Sequence, residues 1–449
     1  MRKATLAQLT DRKNQLILTY APAGLGHLRI TDALYDGLPK SVNPVVLGSQ
    51  DKSIQFIHRM TSIHPIGRAI FEWLQTGPLS SPANRLYRYS LRMNTGVVYN
   101  EMARLLDERM EPPEKILVAC THFGLAHKLA AIKHKFQQEK QVRMALVVFV
   151  SDDTFQHIWY IDGADLLVVA SQHTKRKYAA YGERLRKNVR IEVVPYPLHP
   201  RLGKKLGAGE MAEKTGQLDA KGREPIHVSI PISGAAVGTG YFSRLIAHLR
   251  QKSNRFVFHI VSKDAPFTKN FLSELAGNSW VDVRVGKQDR EVVDLYDVLM
   301  EEQTISLEVT KPSEQAFKGL LGTQSRGGVI LLFSQPVGSQ EYDNLDFLVR
   351  HSLVPTEETN AQLWEMVGDR GARVDPALRS RLLEESRTWR GVRIPDDPRE
   401  ASDFIWWMFT SGMFARMLGG NLNLKVKDEA SGFLGSDGVS EFWDLATSA

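Results

Sequence analysis

The sequence predicts an α/β protein made of two doubly wound units. Three observations predict it. Residues 15–36 and 226–251 open alike, each with an apolar strand, a glycine-containing turn and a helix. Short apolar runs then recur between stretches of helical spacing. A polar stretch rich in Gly and Lys, residues 201–225, separates the two series. Strands alternating with helices specify parallel sheets covered on both faces.

The elements follow in order. Residues 15–20 (QLILTY) read as a buried strand, APAGLGH as a turn, and LRITDALYDGL as a helix with apolar residues at helical spacing. Further strands are expected at 45–47, 116–120, 145–150, 166–170 and 191–194. In the second series IHVSIP (226–231) is a strand, ISGAAVGTG a glycine-rich turn, and YFSRLIAHLRQ a helix. Strands are expected again at 256–261, 281–285, 306–310 and 329–333. ASDFIWWMFTSGMFARML, from residue 401, has the spacing of one apolar-faced helix, and the segment from Gly419 is polar and weakly patterned.

Composition narrows the function classes. With 449 residues, 43% hydrophobic and 24% charged, the chain is long enough for two or three folded domains and is neither disordered nor fibrous in type. A single cysteine, Cys120, excludes an internal disulfide framework and a multi-thiolate zinc site. No apolar run reaches the roughly 20 residues of a membrane span, and the N-terminus lacks the apolar core of a secretory signal. The expectation is a soluble or surface-bound protein.

Charge is unevenly placed. Residues 1–200 hold 27 Lys and Arg against 17 Asp and Glu, whereas the whole chain carries only +6. Within 51–100, Lys52, Arg59, Arg68, Arg85, Arg88 and Arg92 are interleaved with Phe56, Phe71, Trp73, Tyr87 and Tyr89. Cations with interfacial rings suit an anionic membrane surface, or alternatively a solvated helix packing its rings on the core. No nucleic-acid module accompanies them, so nucleic acid is not expected as a partner.

The turns carry the candidate chemistry. The 233–240 turn can aim backbone N–H groups and a helix N-terminus at a phosphate, but it has no GKS/T and is not a P-loop. His27 follows Gly24-Leu25-Gly26 at a strand-to-helix turn, where an imidazole can take a proton near neutral pH; a surface residue capping the helix is the alternative. Asp152 and Asp153 follow a strand, with His157 one or two helical turns on. Their spacing does not make a convincing metal site. SQPVGSQE brings Gln340 and Glu341 to a strand end, suited to vicinal hydroxyls or to a helix start.

These pieces, in this order across about 15–420, resemble inverting glycosyltransferases of the GT-B fold, family 28. Within it the nearest groups are monogalactosyldiacylglycerol synthases, diacylglycerol glucosyltransferases and the peptidoglycan lipid-intermediate N-acetylglucosaminyltransferase. PAGLGHLRITDAL is similar to the family's GGGH-type loop, ILVACTHFGLAHKLA to its Thr-His segment, and VSDDTFQHIWYIDGADLLVVAS to its TD…H..W…D stretch. KPSEQAFKGLL and SQPVGSQEYDN resemble its KPGG…EAL and P.PGQE..N.

The resemblance implies two Rossmann-like domains facing across a cleft: 1–205 for the acceptor, 206–225 as linker, 226–400 for the nucleotide sugar, and 401–449 as C-terminal helix and tail. It implies His27 as general base. Gly238, Thr239, Lys311, Ser313, Glu314, Gln340, Glu341 and Asn344 would bind the donor, and Gly26, His122, Asp152, Asp153 and His157 the acceptor. No metal or cofactor is implied; a UDP-sugar is the co-substrate. The implied activity is transfer of a hexose to a lipid hydroxyl, at the cytoplasmic face of the membrane. A UDP-sugar 2-epimerase of the same fold, or a non-catalytic nucleotide-sugar or lipid binder, are the alternatives. The family's ribose-binding acid falls near Gly319, which has no side chain; Glu314, at the start of the same helix, is the substitute expected there.

Overall fold

The computed structural model describes residues 1–20, 25–48, 89–93, 95–232, 236–333, 339–367, 375–420, 427–428, 432–433 and 437–449. The chain divides into two compact units, Met1–Pro200 with Lys427–Ala449, and Arg201–Val426. Most of the basic, aromatic region at 51–100 lies outside the described residues.

The first unit runs α1 (Lys3–Thr10), β1 (Asn14–Tyr20), α2 (Leu25–Asp36), β2 (Val45–Gly48), α3 (Gly96–Asp107), β3 (Lys115–Cys120), α4 (Phe123–Lys140), β4 (Arg143–Phe149), β5 (Leu166–Val169), α5 (Gln172–Leu185) and β6 (Arg190–Val193). Its six strands form a parallel sheet in the order β2-β1-β3-β4-β5-β6. Five successive residues of β1 are buried, as both-face coverage requires. The strand order reverses between β1 and β3, so the C-terminal ends of these two strands flank the crevice where such sheets bind ligands.

The second unit runs α6 (Ala208–Gln217), β7 (Ile226–Pro231), α7 (Thr239–Lys252), β8 (Phe256–Lys263), α8 (Lys269–Leu275), β9 (Val281–Gly286), α9 (Asp289–Glu302), β10 (Leu307–Thr310), a 3₁₀ helix (Glu314–Leu320), β11 (Val329–Phe333), α10 (Ser339–Arg350), α11 (Glu357–Glu365), α12 (Pro376–Glu385), β12 (Gly391–Ile394), α13 (Pro398–Thr410) and α14 (Met413–Gly419). Its sheet is again parallel, in the order β12-β11-β10-β7-β8-β9. Counted from its own first strand this is 3-2-1-4-5-6 read in reverse, the order of dinucleotide-binding sheets. The reversal lies between β7 and β10. Both units are therefore Rossmann-like and the chain is α/β.

Three expectations change. Residues 206–225, read as a linker, contain α6, which is anchored rather than exposed. Lys214 is fully buried and donates to the carbonyls of Ser325 (3.0 Å) and Gly327 (2.6 Å), while the Gln217 amide donates to Thr304 O (2.7 Å). The expected helix from 401 is two helices, because Gly412 at φ +75° turns the chain between α13 and α14. The polar C-terminal segment ends in α15 (Gly438–Ala446), part of the first unit. There the Trp443 indole donates to Leu34 O at 3.0 Å, and Asp444 accepts from the Thr5 hydroxyl at 2.6 Å.

One face of the second sheet is unusually polar. The Asp282 carboxylate accepts from Arg284 Nε (2.9 Å) and from His259 Nδ1 (3.2 Å). His259 Nε2 then accepts from His227 Nδ1 at 2.8 Å, a tautomer set by the partners. Burial pulls His259 down to about 4, more than the Asp282 hydrogen bond raises it, and lowers His227 too.

Candidate functional site

In the first unit, the ends of β1 and β3 bring His27 and His122 together. His27 is the third residue of α2, with Gly26 beside it in the first turn. Its backbone carbonyl lies 2.9 Å from the Thr31 hydroxyl and 3.2 Å from the Thr121 hydroxyl, and the two hydroxyls are 2.8 Å apart. His122 caps α4: its Nδ1 accepts from the backbone N–H of Gly124 (3.1 Å) and Leu125 (3.4 Å). The His27 and His122 rings meet edge to face, centroids 4.9 Å apart at 82°. Trp159 lies 5.9 Å from His27, and Phe123 stacks on His122 at 4.8 Å. Cys120, just before this pair, is buried; burial pushes its thiol up to about 11, so it is no nucleophile.

Two other acceptor candidates of this unit, Asp153 and His157, engage α5. Asp153, 2% exposed, accepts from the hydroxyls of Ser171 (2.6 Å) and Thr174 (2.7 Å), and Ser171 caps α5. His157 stacks on Tyr181 at 4.1 Å and 9°. Asp152 lies 3.2 Å from the Ser151 hydroxyl. Asp153 thus braces a helix start.

In the second unit, three stretches far apart in sequence converge at the ends of neighbouring strands. After β7, Gly238 is the N-cap of α7 at φ +93°, and among the described residues no side-chain hydrogen bond caps that helix. A Cβ at 238 would stand 3.3 Å from the rings of Phe242 and Phe333, so glycine is required on two counts. Thr239 is the first helical residue. After β10 come Lys311, Pro312 and Ser313, the last being the N-cap of the 3₁₀ helix. After β11, α10 opens with Ser339, Gln340 and Glu341. Buried Lys311 and Glu341 pair at 3.7 Å, and the fully buried Asn344 amide donates to Pro312 O at 3.2 Å. The KPS and SQE stretches are thus tied to each other.

Gly319 does not look onto this edge. A Cβ there would enter the space among Ile330, Leu348 and Arg390, at 3.7–3.8 Å from each. An acid at 319 would be buried in the interior, whereas Glu314 lies at the half-buried start of the 3₁₀ helix.

Beneath that helix is a buried ionic cluster not anticipated from the sequence. Glu308 is paired with Lys318, and accepts from Tyr296 Oη (3.0 Å) and the Gly328 N–H (2.9 Å). Burial favours its neutral form, but the Lys318 charge and these donors together hold the carboxyl below its ordinary range. The only sequence signal was a lone Glu within strand 306–310 (SLEVT). Thr121 stands in the Thr-His segment read from the sequence, yet only its neighbour His122 was among the expected site residues. Among the described residues, no group of three or more His, Cys, Asp or Glu side chains could hold a metal ion, and no helix is long and apolar enough to cross a membrane.

No family model matches the sequence, and no curated protein matches it. Solved structures are similar along nearly the whole chain. Staphylococcus aureus MnaA with UDP is 10% identical, covering 95% of this chain and 94% of its own, with a TM-score of 0.44. Arabidopsis thaliana UGT89C1 with UDP-L-rhamnose is 12% identical, covering 97% and 98%, with a TM-score of 0.44. Anabaena HepE with UDP and glucose is 10% identical, covering 97% and 100%, with a TM-score of 0.43.

Proposed function

We propose that the protein transfers a hexose from a UDP-linked sugar to the hydroxyl of a lipid, inverting the anomeric centre. One observation carries the reading. Gly238-Thr239, Lys311-Pro312-Ser313 and Gln340-Glu341 with Asn344 stand at the ends of β7, β10 and β11, the neighbouring strands at the reversal of the second sheet.

The α7 N-terminus, whose N-cap Gly238 has no side chain to occupy it, suits the leaving diphosphate, because its first N–H groups and helix dipole favour negative charge. Lys311 adds a positive charge. Gln340 and Glu341 suit the hydroxyls of the sugar, and Glu314 the ribose. The first unit differs in chemistry. His122 already occupies the Gly124 and Leu125 N–H groups of α4, so that helix start does not favour an anion. His27 is the base of the reading: the acceptor oxygen bonds to the anomeric carbon, its proton goes to the imidazole, and the bond from that carbon to the diphosphate breaks. Gly26, Asp152 and His157 are the further acceptor candidates. The lipid acceptor and the anionic membrane surface rest on the basic, aromatic sequence of 51–100, and the cytoplasmic side rests on the family resemblance alone.

The test is calorimetry with UDP, followed by UDP release from UDP-glucose or UDP-galactose in the presence of phosphatidylglycerol vesicles containing dioleoylglycerol. UDP binding, and turnover abolished by His27→Ala with UDP affinity retained, is the expected result. Absence of UDP binding, or an undiminished rate in that variant, rejects the reading. Conversion of UDP-N-acetylglucosamine to its 2-epimer without any acceptor would replace it with the epimerase.

A further inference from the structure

We propose that Thr121 and His122, consecutive residues at the end of β3, are the positioning pair for His27: the hydroxyl of one holds its backbone, the helix-capping ring of the other holds its imidazole. The proposal rests on His27 being the base of the reading above and assigns His122 a different part from acceptor binding.

The backbone half is a matter of counting hydrogens. The Thr31 and Thr121 hydroxyls and the His27 carbonyl are mutually within 2.8–3.2 Å, and both threonines are buried. Two hydroxyl protons serve this triangle. Thr31 alone would make only the ordinary bond of a helical threonine to the carbonyl four residues back, which α2 can form wherever it lies. Thr121 is on β3, a different element. Its hydroxyl therefore fixes the first turn of α2 against the sheet at the residue whose side chain is the base. The Thr121 N–H, bonded to Thr19 O at 3.4 Å, ties the same point to β1.

The ring half follows from protonation. An imidazole nitrogen that accepts from two backbone N–H groups carries no proton. The neutral His122 ring consequently has its hydrogen on Nε2, and protonating Nδ1 would break both capping bonds. His122 is thus not a second base. It is a ring held at Nδ1 by two N–H groups of α4 and stacked on Phe123, the first residue of that helix, 2% exposed, with the His27 ring edge to face against it. The base has two contacts from one dipeptide, and each can be removed separately.

The experiment has an arm that needs no turnover. Proton–nitrogen correlation spectra of the histidine rings in the full chain, assigned with His27→Gln and His122→Gln, report both tautomer and environment. His122 is expected as the Nε2–H tautomer, and Thr121→Val is expected to move the His27 ring signals while Thr121→Ser restores them. His122 protonated on Nδ1, or His27 signals indifferent to Thr121→Val, overturns the proposal even if no substrate is known. The second arm measures UDP release with UDP-glucose and dioleoylglycerol vesicles. Thr121→Val is expected to lower kcat about tenfold with KM for UDP-glucose unchanged and Thr121→Ser near wild type. If His27→Ala abolishes turnover while Thr121→Val leaves kcat intact, the positioning pair fails and the base survives. If His27→Ala leaves turnover intact, the functional reading fails instead.

Discussion

Lowering the pH should weaken the second unit through one histidine. His259 is 4% exposed and titrates at about 4 in the fold, against an ordinary value of 6.5. The unfolded chain therefore takes up this proton at a pH where the folded chain refuses it. Stability from this group is complete above about 6.5 and is lost as pH falls toward 4. Over the full window the gap of about 2.5 pH units corresponds to roughly 3 kcal/mol, and at pH 5 about 2 kcal/mol is already gone. His227, shifted in the same direction by burial, adds to the loss. Urea unfolding followed by tryptophan fluorescence at pH 8, 7, 6 and 5 measures it, with His259→Gln as the comparison. The variant is less stable at pH 8, having lost the bonds to His227 and Asp282, but its decline from pH 8 to 5 should be smaller than that of the wild type by about 2 kcal/mol. Apart from His227 and Asp282, which touch His259, the titrating groups keep the same surroundings in both chains. Equal declines would refute the assignment of a neutral, proton-excluding His259.

Three further outcomes follow from the geometry. Gly238→Ala places a Cβ at φ +93° and 3.3 Å from two phenylalanine rings, which should cost about 1–2 kcal/mol in urea unfolding and weaken UDP binding in calorimetry. Lys318→Met leaves Glu308 buried without its cation and should cost roughly 3–5 kcal/mol, read as a fall in the thermal midpoint. Asp153→Ala removes two hydroxyl bonds at the start of α5; stability should fall by about 2–3 kcal/mol while KM for dioleoylglycerol, measured below the melting range, stays unchanged.

Strands were the most legible part of the fold. QLILTY, MALVVF and VILLF are continuous apolar runs of strand length, and each is a strand buried on both faces. The exception is β12. GVRI is four residues long, begins with glycine and carries Arg393, and is a strand only because β11 offers it a partner at the sheet edge. The candidate site was legible where a glycine turn or a polar pair followed a strand, as at Gly238, Lys311 and Gln340-Glu341. It was illegible where a residue type gave the opposite signal. Lys214 in a Gly- and Lys-rich stretch reads as solvated, yet its ammonium is buried on backbone carbonyls. Asp153 is expected from the resemblance to contact the acceptor; its carboxylate accepts from two hydroxyls at the start of α5, which no residue near it in sequence announces. Gly319, where the resemblance led to the expectation of an acid, sits where a side chain would point inward.

What the amino-acid sequence by itself determined is local. Apolar runs make strands, Gly238 sets the start of the helix after β7, and helical spacing covers the sheets, because each depends on residues within a few positions of one another. Strand order was decided only in the tertiary structure. It placed β3 beside β1, so that Thr121 and His122 reach His27, and β10 between β7 and β11, so that Lys311 meets Glu341. It also returned Trp443 to Leu34 across the length of the chain. Such neighbours are selected by the burial of whole faces against one another and by the pairing of buried charges, and neither is written in any single stretch of residues.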